Sequence, residues 1–245
     1  MDNHALSTQI VKRDAQTGAS VPLAGFTFQL LDSNHEPVSQ TCWYPAHNVM
    51  DNFTTDATGA VTLPESLVPG TYYVRETSAK EPYLVGKEIE VSIPADMNLT
   101  PVAIVSYYDH AATGNIRIVK TDAVDGSSLA SAVFEIRASG DIVRPDGSIA
   151  ALDGETVATV MTDEAGEARA DDLPLGSGTA RYEVVETQAP AGFLLDRTSH
   201  IVDLTYADQK TPVVEARLNV SNDYTKVDIS KVDASGEQEV EGAQL

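Results

Sequence analysis

Three lysines of this sequence lie in segments whose pattern predicts that a β-strand would bury them. Because side chains alternate along a strand, Ile116, Ile118 and Lys120 share one face. Lys12 and Lys231 lie in the same kind of segment, at intervals of 108 and 111 residues from Lys120. An unpaired ammonium group on a buried face is energetically costly. The recurrence therefore predicts a repeat protein in which each repeat has a use for its buried lysine.

The second repeat directs two further polar side chains at the same predicted interior. Glu186 shares a face with apolar residues of a middle strand, and Asn222 shares one with apolar residues of the last strand. The first repeat has a corresponding set, with an acid in place of the amide: Lys12, Glu76 and Asp109. One interpretation is a buried Lys–Glu ion pair with a hydrogen-bonded partner. The recurrence of the same residue types in two repeats favours a chemical role instead.

These residue types can form a covalent cross-link within the chain. Burial disfavours charge, so it lowers the pKa of a lysine and raises that of a glutamic acid. A neutral amine is a nucleophile, and a protonated carboxyl group can polarise a side-chain carbonyl and transfer protons. Proximity inside a folded core supplies the effective concentration that the reaction needs. The predicted product is an isopeptide bond, formed with loss of ammonia from asparagine or of water from aspartic acid. Such a reaction turns over once, so we expect neither a conventional enzyme nor a cofactor.

Short alternating or apolar segments separated by turn residues must position these side chains. Segments of this length, at short intervals along the sequence, indicate an all-β sandwich. No window has sustained helical periodicity. The predicted domains cover residues 1–112 and 113–225, and residues 226–245 begin a third repeat. The linkers between them are short, which predicts domains arranged end to end.

Composition limits the classes of partner. The formal charge of −21 and the isoelectric point near 4.3 argue against nucleic acid and anionic membranes as partners. No apolar segment has the roughly 18 residues that a membrane-spanning helix needs. The single cysteine, Cys42, excludes a disulfide within the chain. We expect the chain to be a fragment, since its start lacks a signal peptide and Leu245 lies within the third repeat.

Four segments of the second repeat resemble Cna protein B-type domains, also called SpaA-type or prealbumin-like domains, of Gram-positive pilins and surface adhesins. The segments are Ile118–Asp122, Thr162–Gly166, Tyr182–Phe193 and Val220–Asn222. The run Glu-Thr-x-Ala-Pro-x-Gly-Phe that begins at Glu186 resembles the E-box of this family. The resemblance covers nearly the whole chain and is stronger in the second repeat.

The resemblance implies immunoglobulin-like or transthyretin-like sandwiches in an extracellular, cell-wall-anchored stalk or pilus protein. It also implies a Lys120–Asn222 isopeptide bond with Glu186 as its catalyst. The expected partners are other domains of the same or neighbouring surface-protein subunits. Polymerising pilins of the family are sortase substrates that carry a joining lysine, often after Tyr-Pro. Tyr44-Pro45 is not followed by a lysine here, which is not the pattern expected of a shaft-forming pilin.

The first repeat departs from the family pattern in two places. Its E-box equivalent, Glu76–Tyr83, lacks the Ala-Pro-x-Gly core. In its last strand Tyr107 stands where a literal match to Val-Ser-Asn would place the asparagine, whereas Asp109 restores the buried face. We therefore expect the lysine of this repeat to be joined to Asp109, with Glu76 as the catalyst. Lys231 has no later strand in this sequence and is expected to be a free amine.

An alternative function concerns the predicted loop 31–52. Trp43, Tyr44 and His47 are expected to be exposed in this loop. Exposed aromatic side chains are common at the centre of binding surfaces. The loop therefore suggests an adhesin module that binds a host extracellular-matrix protein or a glycan.

Other chemistry-bearing groups have simpler interpretations. Cys42, His47 and Asp51 are close in sequence, but no nucleophile motif surrounds the cysteine, which we interpret as an ordinary loop residue. The histidines have no zinc-binding spacing. The acidic stretch 141–153 lacks the arrangement of a calcium loop and is interpreted as a solvated insertion. We expect no metal site.

Overall fold

The computed structural model describes residues 7–94 and 102–226. In those two ranges the regular structure consists of β-strands without a helix, so the prediction of an all-β protein is confirmed. None of the described residues belongs to a helix that could cross a membrane. Most of the predicted third repeat, including Lys231, lies outside the described residues.

The described strands divide evenly between the two domains. Those of the first domain are β1 (Ser7–Asp14), β2 (Thr27–Leu31), β3 (Gln40–Cys42), β4 (Asn48–Met50), β5 (Phe53–Thr54), β6 (Ala60–Thr62), β7 (Gly70–Ser78), β8 (Ile89–Ile93) and β9 (Val102–Asp109). Those of the second domain are β10 (Thr113–Asp122), β11 (Val133–Ala138), β12 (Ile142–Val143), β13 (Ile149–Ala151), β14 (Thr156–Met161), β15 (Glu167–Pro174), β16 (Thr179–Gln188), β17 (Ser199–Thr205) and β18 (Val213–Asn222).

The two domains have the same sheet topology. The first domain packs a three-stranded sheet, β6-β1-β9, against a four-stranded sheet, β5-β2-β7-β8. The second packs β15-β10-β18 against β14-β11-β16-β17. The first and last strands of each domain are parallel neighbours, whereas the other pairs are antiparallel. The chain therefore consists of tandem β-sandwich domains, as the repeats predict.

Alternating side chains from the two sheets fill each core. Strand β1 alternates between half-buried and buried residues along its whole length. Ile10 from this strand packs in one cluster with Phe28 and Val74 of the facing sheet. In the second domain Ile118 and Phe134 have the corresponding places. Because full burial of such a side chain is worth about 1.5–3 kcal/mol, these clusters are the main favourable contribution to each fold.

Two short hairpins lie in segments that the sequence predicts as loops. Strands β3 and β4 pair within the predicted loop 31–52, and β12 pairs with β13 within the acidic insertion. The interpretation of 141–153 as a wholly solvated insertion is wrong, because Ile142 and Ala151 are buried in the core of the second domain. Runs of two or three strand residues are too short for alternation to distinguish them from a loop.

The linker between the domains is short, as predicted. Strand β9 ends at Asp109 and β10 begins at Thr113. Side chains also join the domains directly, since the Thr17 hydroxyl donates a hydrogen bond of 2.5 Å to an Asp146 carboxylate oxygen.

Candidate functional site

The central strand of each three-stranded sheet buries its lysine completely. Lys12 lies in β1 and Lys120 in β10, and neither side chain has any exposed surface. Each lysine alternates with buried aliphatic residues, which include Ile10 in the first domain and Ile118 in the second. The alternation that fills the core therefore also directs the amine into it.

The register of the last strand identifies the partner of each lysine. In the second domain Asp122, two residues beyond the lysine, pairs with Asn222. In the first domain Asp14, two residues beyond the lysine, pairs with Asp109. Asp109 thus has the position of the asparagine, whereas Tyr107 lies beside the lysine itself, where the second domain has a valine. The two facing glutamates are also equivalent, since each pairs with a phenylalanine of the neighbouring strand.

In the second domain the three predicted side chains contact one another. The Nζ atom of Lys120 lies 3.2 Å from Oε1 of Glu186 and contacts Oδ1 of Asn222. The Nδ2 atom of Asn222 donates to both carboxylate oxygens of Glu186 at 3.0 Å. All three side chains are buried. The glutamate therefore contacts both the amine and the amide nitrogen.

The first domain brings together the corresponding acid-containing set. The Nζ atom of Lys12 donates to Oε1 of Glu76 at 2.9 Å and contacts Oδ2 of Asp109. Neither Asp109 carboxyl oxygen has a well-directed hydrogen-bond donor, and both are buried. The carboxyl group of Asp109 is thus held against the amine by proximity and charge.

Burial shifts the proton affinity of both sites in the direction that amide formation needs. Burial, opposed by the charge of Lys12 and reinforced by the neighbouring Asp109 carboxyl group, raises the pKa of Glu76 to about 8. It lowers the pKa of the Lys120 amine, although the Glu186 carboxylate opposes the change. At neutral pH Glu76 is therefore mostly a protonated acid, and the Lys120 amine loses its proton more readily than an exposed lysine.

Aromatic rings lie close to both buried amines. The Nζ atom of Lys12 lies 4.7 Å from the ring centroids of Phe26 and Tyr107. The Nζ atom of Lys120 lies 5.7 Å from the Phe134 ring. Full burial leaves each amine in contact with its acid or amide neighbours.

Main-chain N–H groups position the two glutamates, and sequence reasoning missed them. The N–H of Gly86 donates to Oε2 of Glu76 at 2.8 Å. The N–H of Asp196 donates to Oε2 of Glu186 at 2.7 Å. No side-chain pattern marks such donors, since every residue except proline has a main-chain N–H.

A buried aspartate next to each lysine was also missed. Asp14 and Asp122 follow the lysines by two residues and are buried on the same face. Asp14 accepts a 2.8 Å hydrogen bond from the Tyr83 hydroxyl, and Asp122 accepts one of 2.7 Å from the Val124 N–H. The Lys-x-Asp spacing common to both repeats is the sequence signal that could have identified them.

Gly86 is the close-packing position of the first site. A Cβ atom added there would lie 2.7 Å from Cε1 of Tyr107 and would overlap Asp109. Because overpacking a core typically costs about 1–3 kcal/mol, we expect Gly86→Ala to destabilise the first domain by about that amount. We also expect the variant to form less of the predicted Lys12–Asp109 bond. Chemical denaturation of the variant measures the stability. Lys87→Ala, an exposed change at the next residue, is the control, and an unchanged midpoint for Gly86→Ala would contradict the close packing.

The residues of the predicted ligand-binding loop lie on the β3–β4 hairpin. Trp43 is 73% exposed and Tyr44 is 86% exposed, and His47 is exposed as well. The Trp43 and His47 rings lie 4.7 Å apart between centroids, in an edge-to-face arrangement. The hairpin thus presents an aromatic pair together with an exposed tyrosine.

Cys42 and the acidic insertion have no catalytic or metal-binding arrangement in the described residues. The Cys42 thiol lies 3.0 Å from the Tyr44 carbonyl oxygen and donates to it, and Asp51 accepts from Ser39. Residues 7–94 and 102–226 contain no group of three His, Cys, Asp or Glu side chains that could hold a metal ion.

Comparison with known proteins follows the division into two domains. The family model of the SpaA prealbumin-like fold domain matches residues 7–107 and 114–218. No protein with a curated description matches the chain. The Bacillus anthracis TIE protein is 22% identical, with a TM-score of 0.56, over 90% of this chain and 34% of its own length.

Two solved pilins are also similar to the chain. A Streptococcal ancillary pilin is 18% identical, with a TM-score of 0.37, over 92% of this chain and 64% of its own. The shaft pilin SpaA from Lactobacillus rhamnosus GG is 16% identical, with a TM-score of 0.35, over 91% and 99%. The present chain thus spans about a third of the TIE protein structure and under two thirds of the ancillary pilin. Since the family model matches both sandwich domains, and so well over half of the sequence, the chain belongs to the family of SpaA prealbumin-like fold domains.

Proposed function

We propose that the chain is a structural segment of a Gram-positive cell-surface or pilus protein, and that an intramolecular isopeptide bond cross-links each domain. Lys120 is joined to Asn222 with Glu186 as the catalyst. Lys12 is joined to Asp109 with Glu76 as the catalyst. The observation that supports this most is that both domains bring a lysine, a glutamate and an amide or acid into contact at equivalent buried positions.

In the second domain the reaction exchanges one amide nitrogen for another. Glu186 takes a proton from the Lys120 ammonium group, and the neutral amine attacks Cγ of Asn222. The new Nζ–Cγ bond forms as the Cγ–Nδ2 bond breaks. The departing nitrogen takes up one proton from the attacking amine and leaves as ammonia. Because Glu186 contacts both nitrogens, it can transfer that proton without help from water.

In the first domain the same attack releases water. The Lys12 ammonium group passes one proton to the Asp109 carboxylate, the resulting amine attacks Cγ of Asp109, and the departing hydroxyl takes up a proton from Glu76. Glu76 then recovers a proton from the attacking nitrogen. The raised pKa of Glu76 supports this role, since the residue has a proton to donate at neutral pH.

The proposed bonds join the first strand of each domain to its last. Lys120 lies in β10 and Asn222 in β18, which enter and leave the second domain. A force applied along the chain is therefore transmitted through a covalent bond, and the residues between the two ends stay folded. This is the property that a stalk needs. The reaction uses only groups of the chain itself and acts on no external substrate.

Identification of cross-linked peptides tests the proposal. Digestion of the purified full chain should give one branched peptide that joins the Lys120 and Asn222 segments and another that joins those of Lys12 and Asp109. Linear peptides from all four segments would contradict it.

The pH dependence of bond formation in the first domain follows from the pKa of Glu76. As pH rises through about 8 the glutamic acid loses its proton, so the rate of bond formation should fall. Chain recovered unfolded from inclusion bodies can be refolded in buffers from about pH 6 to about pH 9, and the cross-linked fraction followed with time. A rate that stays constant or rises across this range would contradict an acidic role for Glu76.

The exposed hairpin supports a second candidate function. Trp43, Tyr44 and His47 offer aromatic surface to a host matrix protein or a glycan. Saturable binding on a glycan or matrix-protein array, lost on Trp43→Ala, is the result expected of an adhesin module. Absence of binding by the unaltered chain would leave the structural function alone.

A further inference from the structure

One segment of the first domain carries the N–H group that holds its catalytic glutamate. Residues 79–86 follow β7, which contains Glu76, and end at Gly86. The Gly86 N–H donates to Glu76 Oε2 at 2.8 Å. The position of this segment therefore decides whether Glu76 is directed at the lysine.

A single residue of the second domain contacts both ends of that segment. Gln209 lies in the connection between β17 and β18. Its side-chain oxygen accepts a hydrogen bond of 2.9 Å from the Ala79 N–H. Its main-chain oxygen accepts one of 3.1 Å from the Val85 N–H, which is the residue before Gly86. Both bonds limit the conformational freedom of the segment, so less backbone entropy is lost when Glu76 is positioned.

Further contacts hold the middle of the segment against the second domain. The Tyr206 hydroxyl donates to the Tyr83 carbonyl oxygen at 3.1 Å. The Leu84 side chain packs against the core cluster of the second domain. The segment thus belongs to the first domain in sequence, and the folded second domain supports it from one end to the other.

The E-box of the second domain has its own local support. The Leu194 N–H donates to the Asp223 carbonyl oxygen at 2.8 Å, and the Thr225 N–H donates to that of Gly192 at 2.9 Å. The first domain has equivalents of these two bonds, from Leu84 and Ala112. It lacks the Ala-Pro-x-Gly core of the E-box, however, and the contacts with Gln209 are additional.

We propose that Gln209 is a positioning residue for the isopeptide site of the first domain, so that the Lys12–Asp109 bond forms fully only after the second domain has folded against the first. This inference rests on the proposed function. It implies an order of maturation, in which the second domain acquires its bond independently and then supports the first.

The rate of formation of each bond in the full chain tests this inference. The chain is produced by cell-free translation, quenched in denaturant at intervals and digested, and the two cross-linked peptides are quantified separately. We expect Gln209→Met to slow formation of the first bond by about fivefold, which corresponds to about 1 kcal/mol for one lost hydrogen bond. Formation of the Lys120–Asn222 bond should be unchanged.

Two further variants distinguish the loss of the Gln209 hydrogen bond from a general loss of folding. Gln209→Glu keeps an acceptor oxygen and should restore the rate, whereas Lys210→Ala, an exposed change in the same connection, should have no effect. An unchanged rate in Gln209→Met would overturn the inference and leave the proposed bond intact. Equal slowing of both bonds, or failure of Gln209→Glu to restore the rate, would overturn it as well. Absence of the first bond from the unaltered chain would instead contradict the proposed function in that domain.

Discussion

Replacement of Glu186 by Gln is expected to lower the midpoint of thermal unfolding of the second domain by roughly 20 to 40 °C. Gln cannot take the proton from Lys120, so the bond to Asn222 does not form. The proposed bond would close a loop with a sequence separation of 102 residues. A cross-link across about 100 residues stabilises by about 4.7 kcal/mol in the chain-entropy treatment, and each kcal/mol shifts the midpoint by about 4–8 °C. Differential scanning calorimetry of the full chain measures the change.

A matched change on the same strand provides the control. Glu183 lies in β16 on the opposite face and is half-buried. Glu183→Gln should therefore alter the midpoint by only a few degrees. A Glu186→Gln chain that unfolds at the same temperature as the unaltered protein would contradict the catalytic role of Glu186. So would a variant that still yields the cross-linked peptide.

Replacement of Lys120 by Ala should greatly increase the length to which the second domain extends under a pulling force. If the proposed isopeptide bond is present in the unaltered chain, a pulling force passes through it from β10 to β18, and the residues between them should not extend. In Lys120→Ala those residues are released. With a sequence separation of 102 residues between the two partners and about 3.3–3.6 Å for each extended residue, the released segment has an extended length of roughly 340 to 370 Å. Single-molecule force spectroscopy of the full chain measures this step.

Lys210→Ala is the control for the pulling experiment, because this lysine is exposed in the β17–β18 connection. That variant should show no additional extension. A comparable increase in length in the unaltered chain would contradict an isopeptide bond that carries the force. So would a Lys120→Ala chain that fails to lengthen.

Strand alternation made most of the candidate site predictable from the sequence. Lys120, Glu186 and Asn222 each share a face with apolar residues, and the structure brings the three into contact. The same face argument favoured Asp109 over Tyr107 in the first domain. The parallel register of β1 and β9 agrees with that choice, since it pairs Asp109 with the residue two beyond the lysine.

Contacts made by the main chain could not be predicted in this way. The N–H of Gly86 holds Glu76, but its direction depends on the path of a turn rather than on residue type. Gln209 is half-buried and polar, and nothing in its sequence context indicates contact with another domain. The hairpins β3–β4 and β12–β13 are too short to produce an alternating pattern. The local sequence pattern thus predicts which strand faces are buried. Tertiary contacts determine which partners the N–H groups and side chains of the turns reach.

The two sites differ in the residue that contacts the lysine, aspartate in the first and asparagine in the second, and in the packing around it. The first has the bulky Tyr107 beside its lysine and a glycine at the end of the E-box segment. The second has Val220 beside its lysine and Asp196 at the position that corresponds to Gly86.

The intact mass of the purified, denatured chain tests the central claim most directly. We expect a mass below that of the sequence by one ammonia and one water. Lys120→Ala should lack only the ammonia deficit, and Lys12→Ala should lack only the water deficit, after correction for each substitution. A mass equal to that of the sequence would contradict isopeptide formation in both domains.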